Sequence, residues 1–98
     1  MSLDPVIHAT GRLQICAMLS AVSEAEFATV REGLQVSDSV LSKQIKQLEE
    51  AGYVSVRKAT AAGRQRTWLS LTQPGARAFA AHMQELLRLA EAAKLAAQ

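Results

Sequence analysis

Ninety-eight residues, 49% of them hydrophobic and 20% charged, suffice for one domain with a single core and are too few for two. No apolar run approaches the roughly 18 residues of a membrane helix, no secretory signal is visible, and the single Cys16 excludes a disulfide within one chain. The formal charge of +2 and pI near 9.0 exclude little alone, but residues 37 to 71 hold six Lys or Arg against three acids while the rest holds five against six, so the basic surplus is local.

Asp4 and Pro5 suit a short helix that Gly11 interrupts. Arg12 to Val22 carries Leu13, Ile15, Cys16, Met18, Leu19 and Val22, apolar on more than one side, as a central helix does. In that setting Cys16 reads as buried filler rather than as a nucleophile. Glu24 to Phe27 fits a short strand, and Ala28 to Leu34, with Val30 and Leu34 on the side of Phe27, fits the first of two paired helices. Val36 plugs the turn that follows.

The second helix of the pair spans 38–51. Ser37 is its N-cap, Val40, Leu41, Ile45, Leu48 and Ala51 recur at helical spacing, and Gly52 stands where a left-handed stop is wanted. The opposite face carries Asp38, Ser39, Ser42, Lys43, Lys46 and Gln47, side chains of the kinds that bond phosphates and base edges. Any solvated amphipathic helix shows a polar face, so the residues that follow decide its meaning.

Tyr53, Val54 and Val56, and then Thr67, Trp68, Leu69 and Leu71, are two β-favouring runs that pair as a hairpin over 53–71, with Ala59 to Gln65 as a small-residue loop. Arg57, Lys58, Arg64 and Arg66 flank that loop with no acid between them, a cluster that would repel itself unless set beside a polyanion. Trp68 in the second strand suits contact with helix residues better than stacking on a base.

Thr72 caps a last helix over 73–96, with Pro74 in its first turn. Ala76, Phe79, Met83, Leu86, Ala90, Ala93 and Ala97 alternate three and four residues apart, a seam that wants another helix, and Leu87, Leu89 and Leu95 add apolar surface beside it. Packing on residues 5–22 and on a second copy of the chain are both expected, with Pro5, Val6, Ala76, Phe79, Met83, Leu86, Leu87, Ala90 and Ala93 at the homodimer interface.

The run LQVSDSVLSKQIKQLEEAGYVSVRK resembles the second half of a helix-turn-helix leading into a wing, and through it the chain resembles the MarR-like winged-helix transcriptional regulators. More narrowly it is similar to short stand-alone members whose chains open with a segment like LDPVIHATGRLQI and close the wing with a strand like RTWLSLT before PG. The likeness covers about residues 3 to 90, and its pattern of Ser37, Leu41, Ser42, Leu48, Glu49, Gly52 and Tyr53 is shared with ArsR-like regulators. It implies a mainly α fold with a small β-sheet: a three-helix core, a two-stranded wing and a long C-terminal dimerisation helix. By the same resemblance Ser39, Ser42, Lys43 and Lys46 match DNA-touching positions, and Arg64 and Arg66 match wing contacts. One departure stands out: Gln35 occupies the turn position where such regulators usually have Gly, and since a non-glycine residue in a left-handed conformation costs on the order of 1 kcal/mol, either Gln35 bears that strain or the turn takes a different shape.

The expected function is therefore a cytoplasmic, sequence-specific regulator of double-stranded DNA, a homodimeric repressor that reads a pseudo-palindrome with two recognition helices roughly 34 Å apart. Ser37, Asp38, Ser39, Ser42, Lys43, Lys46, Gln47, Arg57, Lys58, Arg64 and Arg66 form the expected DNA face. No cofactor or metal is called for, and neither a phosphate-cradling glycine loop nor a nucleophile and base pair points to an enzyme. His8 and His82 stand apart from any ligand cluster and suit packing or the interface. An ArsR-like metal sensor and a winged-helix protein-interaction module are the alternatives. The chain leaves little room for a large internal effector pocket, and the dimer cleft is the remaining place for one.

Overall fold

A computed structural model describes residues 3–9 and 11–97. Eight elements follow in order: α1 (Pro5–His8), α2 (Arg12–Ser20), β1 (Ala25–Glu26), α3 (Phe27–Leu34), α4 (Asp38–Glu50), β2 (Val54–Ala61), β3 (Arg64–Leu71) and α5 (Gln73–Ala96). The strands form an antiparallel sheet in the order β1-β3-β2. One core joins α1, α2, α3 and α4 to the inner face of that sheet through Ile7, Ile15, Cys16, Leu19, Val30, Leu41, Ile45, Leu48, Val54 and Leu69.

Local chemistry fixes most boundaries. The Asp4 carboxylate accepts from the amides of Val6 and Ile7 and so caps α1. Ser37 accepts from the Val40 amide, and Thr72 from the Gly75 amide. Between α3 and α4, Gln35 sits at φ 56° and ψ 46°. The left-handed strain foreseen at that position is borne by the glutamine itself. Its amide bonds the Glu32 carbonyl and the Val36 amide bonds that of Arg31, the paired closure that ends a helix on a left-handed residue.

Three expectations need correction. On α4 the buried stripe is Leu41, Ile45 and Leu48, whereas Val40 is 47% exposed and Ala51 is exposed too. Val40 lies about 100° around the helix from Leu41, which turns it to solvent. The central helix α2 stops at Ser20, leaving Val22 half exposed. The hairpin has no long loop: its strands run to Ala61 and from Arg64, joined through Ala62 at φ 53° and Gly63 at φ 74°. Two consecutive positive φ angles match the twist of the flanking strands, so a two-residue turn closes the wing.

Helix α5, 24 residues long, sets the elongated shape of 59 × 26 × 21 Å. Its first turn presses on the exit of α4. The Thr72 amide donates to the Tyr53 carbonyl and the Thr72 hydroxyl to that of Gly52, and a Cβ on Gly75 would lie 2.1 Å from the Tyr53 oxygen. Farther along, His82 and Glu85 are buried, and Arg88 donates to the Glu85 carboxylate at 2.6 Å. The side of α5 that meets the body therefore runs through Gly75, Ala78, Phe79 and His82, and only part of the heptad seam lies on it.

Candidate nucleic-acid interface

Helix α4 presents two polar strips, because residues four apart share a helix face. Ser39, Lys43 and Gln47 are exposed on one strip, and Asp38, Ser42, Lys46 and Glu49 line a groove on the other. The groove, of about 540 Å³, is floored by Phe27, Ile45, Val56 and Leu69 and walled on the far side by Lys58 and Thr67 of the wing. Two lysines from different elements, Lys46 and Lys58, thus border one cleft. The acids at its α4 wall are not equivalent. Asp38 accepts from Arg31 at 2.6 Å, and that bond is the main reason the Arg31 guanidinium is held above its ordinary pKa. Ser37 keeps its oxygen on the helix cap, and its hydroxyl lies 3.2 Å from that of Ser39.

The wing cations do not act as a block. Strand alternation puts Lys58 on the inner face with Val54 and Val56, and Arg57, Arg64 and Arg66 on the outer face with Trp68. The expectation of four cations without acids is corrected, because Glu24, just before β1, and Glu26 on it supply two carboxylates. Arg57 donates Nε and Nη2 to the two oxygens of Glu24 at 2.9 and 2.8 Å, a fork-to-fork pair. Its guanidinium also lies 5.8 Å from the centre of the Trp68 ring. Arg66 donates Nη1 to both oxygens of Glu26 at 2.8 and 3.0 Å. Hydrogen bonding from Arg57 holds the Glu24 carboxyl below its ordinary range, against a smaller opposing effect of burial. Arg64, next to the turn, is exposed, and no ion pair forms on it among the described residues.

Glu24 and Glu26 were not singled out from the sequence, although a signal exists. Carboxylates two apart in extended chain share a face, as Arg64 and Arg66 do in β3, and antiparallel pairing of β1 with β3 brings Glu26 within reach of Arg66 and Glu24 within reach of Arg57 on β2. Trp68 is corrected likewise. It stands opposite Arg57 on β2 and Glu26 on β1, on the outer face and not among the helix side chains of the core.

The two histidines meet inside one chain. His8 Nδ1 and His82 Nε2 are 3.3 Å apart, and the Asp4 amide donates to His82 Nδ1 at 3.1 Å. With Nδ1 accepting, neutral His82 carries its proton on Nε2 and donates it to His8. Both Asp4 and His82 line a second cleft with Tyr53, Pro5, Ala78 and Ala81. Among the residues expected at a dimer interface, Val6 and Phe79 pack against the core, and Met83 and Leu86 are half-buried on α5. Pro5, Ala76, Ala90 and Ala93 are exposed, and Leu87 is 66% exposed, with Leu89 and Leu95 exposed beside it. Burial pushes the Cys16 thiol up to about 11, with the Asp4 charge adding to it, so the thiol is inert. No described helix is long and apolar enough to cross a membrane.

Comparison with known proteins agrees with this layout. The chain is 31% identical over 86 residues, 88% of its length and 94% of the relative's, to the uncharacterized protein MJ0432 of Methanocaldococcus jannaschii. Its fold is similar to that of the transcriptional regulator homologue from Pyrococcus horikoshii OT3, with a TM-score of 0.84 and 24% identity over 89% of this chain and 86% of that one. It is also similar to the putative transcriptional regulator ytfH from Salmonella typhimurium, with a TM-score of 0.72 and 19% identity over 93% and 82% of the two chains. The family model for the winged helix DNA-binding domain matches residues 12–90, from the start of α2 well into α5, and the chain belongs to that family.

Proposed function

We propose that this winged-helix domain is a homodimeric transcriptional repressor that binds duplex DNA with α4 in the major groove and the wing on the backbone or minor groove, and that it catalyses no reaction. One observation carries the reading: Lys46 of α4 and Lys58 of β2 border the same groove, beside the exposed Ser39, Lys43 and Gln47. Cations on two adjoining elements of one side suit a duplex, whose phosphates run on both borders of the groove a helix enters. Lys43, Lys46, Lys58 and Arg64 contact phosphate in this reading, and Ser39, Ser42 and Gln47 face base edges.

Dimerisation follows from α5. Its distal half leaves Leu87, Leu89 and Leu95 exposed next to Ala90 and Ala93, more apolar surface than a domain of this size leaves to water without a use. A two-fold pairing of that face sets two copies of α4 on one duplex, and the target is then pseudo-palindromic.

Selection of bound fragments from genomic DNA, followed by mobility shift on the enriched sequence, tests the reading. Recovery of a sequence with inverted half-sites about one helical turn apart supports it. Absence of any shift, even with random duplex at low salt, removes DNA as the partner and leaves the interaction module.

A further inference from the structure

The geometry points to Glu24 and Glu26 as internal competitors of the DNA backbone, which withhold two of the wing's four cations and so restrain sequence-independent binding. This rests on the DNA-binding reading above and deepens it. Glu26 stands on β1 and Glu24 just before it, and each takes up an arginine of the hairpin. The two pairs differ in grip. Arg57 gives Glu24 two nitrogens, Nε and Nη2, and has its guanidinium set near the Trp68 ring, whereas Arg66 gives Glu26 a single nitrogen. A phosphate approaching either arginine meets a cation already neutralised by a carboxylate bonded at 2.8 Å, so it gains less than at a free cation and must compete with that carboxylate. Lys58 and Arg64 stay available. Sequence-independent affinity rises with the number of phosphates neutralised, whereas base readout does not, so two withheld cations favour the correct site over random DNA.

The test is fluorescence anisotropy of the full chain on random-sequence duplex across roughly 50 to 200 mM salt, for wild type, Glu24→Gln and Glu26→Gln, with thermal melts to establish folding. Each variant should bind about five- to tenfold tighter near 0.1 M salt and steepen the log–log salt slope by about 0.9, the effect of one further phosphate contact. Adding Arg57→Ala to Glu24→Gln, or Arg66→Ala to Glu26→Gln, should return the slope to that of wild type. Arg57→Ala alone should leave the wild-type slope unchanged, because its charge is already taken. Unchanged slopes in the glutamine variants overturn the inference, and weaker binding overturns it in favour of glutamates that position the arginines for DNA. In both cases wild-type binding still stands. A wild type that fails to bind random duplex at low salt removes the DNA reading itself and this inference with it.

Discussion

The Tyr53 hydroxyl donates to the Asp4 carboxylate over 2.6 Å, joining the residue that leaves α4 to the one that caps α1. The same Asp4 places its amide on His82 of α5. Two helices far apart in sequence, α1 and α5, and the first residue of the wing are thus tied at one aspartate. Tyr53→Phe removes the donor and keeps the ring, leaving a half-buried carboxylate oxygen without its partner. A loss of about 1.5–3 kcal/mol is expected, the range for a hydrogen bond to a charged group, with urea unfolding as the measurement. An unchanged midpoint would mean that water replaces the hydroxyl at no cost.

Asp4 also gives stability a pH dependence. Burial raises its carboxyl pKa, but bonds from the Tyr53 hydroxyl and the Val6 and Ile7 amides, with His82 nearby, outweigh burial and hold it below the ordinary value. A depressed folded pKa means that the unfolded chain binds the proton more readily. The contribution is complete above the unfolded value of about 4 and disappears as pH falls through the folded one. Asp4→Asn should therefore be less stable than wild type at neutral pH and converge on it in acid. Parallel stability curves down to about pH 2 would show that the carboxylate charge adds nothing to the fold.

Gly75 makes a sharper steric prediction. A Cβ there meets the Tyr53 carbonyl oxygen at 2.1 Å, a backbone atom that cannot swing aside. Gly75→Ala must push α5 off the exit of α4, with an expected cost of about 3 kcal/mol or more, at the top of the range for overpacking. Gly52→Ala and Gly63→Ala meet nothing within 4 Å and carry only the left-handed backbone penalty, on the order of 1 kcal/mol. Equal losses at all three glycines, measured by denaturant unfolding, would contradict the close approach.

Much of this architecture was legible because the signals are local. Ser37 and Thr72 read as caps from residue type and spacing, and Gln35 marked the turn where either strain or a different shape was needed, of which the structure has the strain. What was hidden depends on pairing across distance. Whether Arg57 is free is set by Glu24, 33 residues away, and becomes visible only once β1 is aligned with β3. The wing turn was misplaced because alanine and glycine over 59–65 are weak strand formers with little to bury, yet cross-strand pairing from Ala59–Arg66 to Ala61–Arg64 carries both strands to the turn. The meeting of His8 with His82 depends on how α1 docks on α5, which neither segment encodes alone.

The groove of α4 and the wing predicts unequal roles for its lysines and for the outward strip. Lys46→Ala and Lys58→Ala should each flatten the salt slope by about 0.9 on specific and random duplex alike, as phosphate contacts do. Gln47→Ala and Ser39→Ala should leave the slope in place and lower the preference for the selected site over random DNA, at about 1–3 kcal/mol for each direct base contact. All four positions are exposed, so thermal melts should stay close to wild type. A base-reading role for Gln47 or Ser39 is excluded if their replacement lowers affinity for both duplexes equally.

The distal half of α5 makes the assembly testable separately from DNA. Leu87 and Leu95 are each 66% exposed and touch none of the core, so replacing both with Glu should not unfold the domain. Such a change places two carboxylates per chain on a face proposed to be buried against its twin, where an unpaired charge is strongly unfavourable. Sedimentation equilibrium should then find a dimer for wild type and a monomer for Leu87→Glu with Leu95→Glu. The variant should still bind random duplex with the salt slope of one wing and one α4, but lose the inverted pair of half-sites, because nothing couples the two copies. A wild type that is monomeric at micromolar concentration would remove the two-fold reading and leave each domain recognising a single half-site.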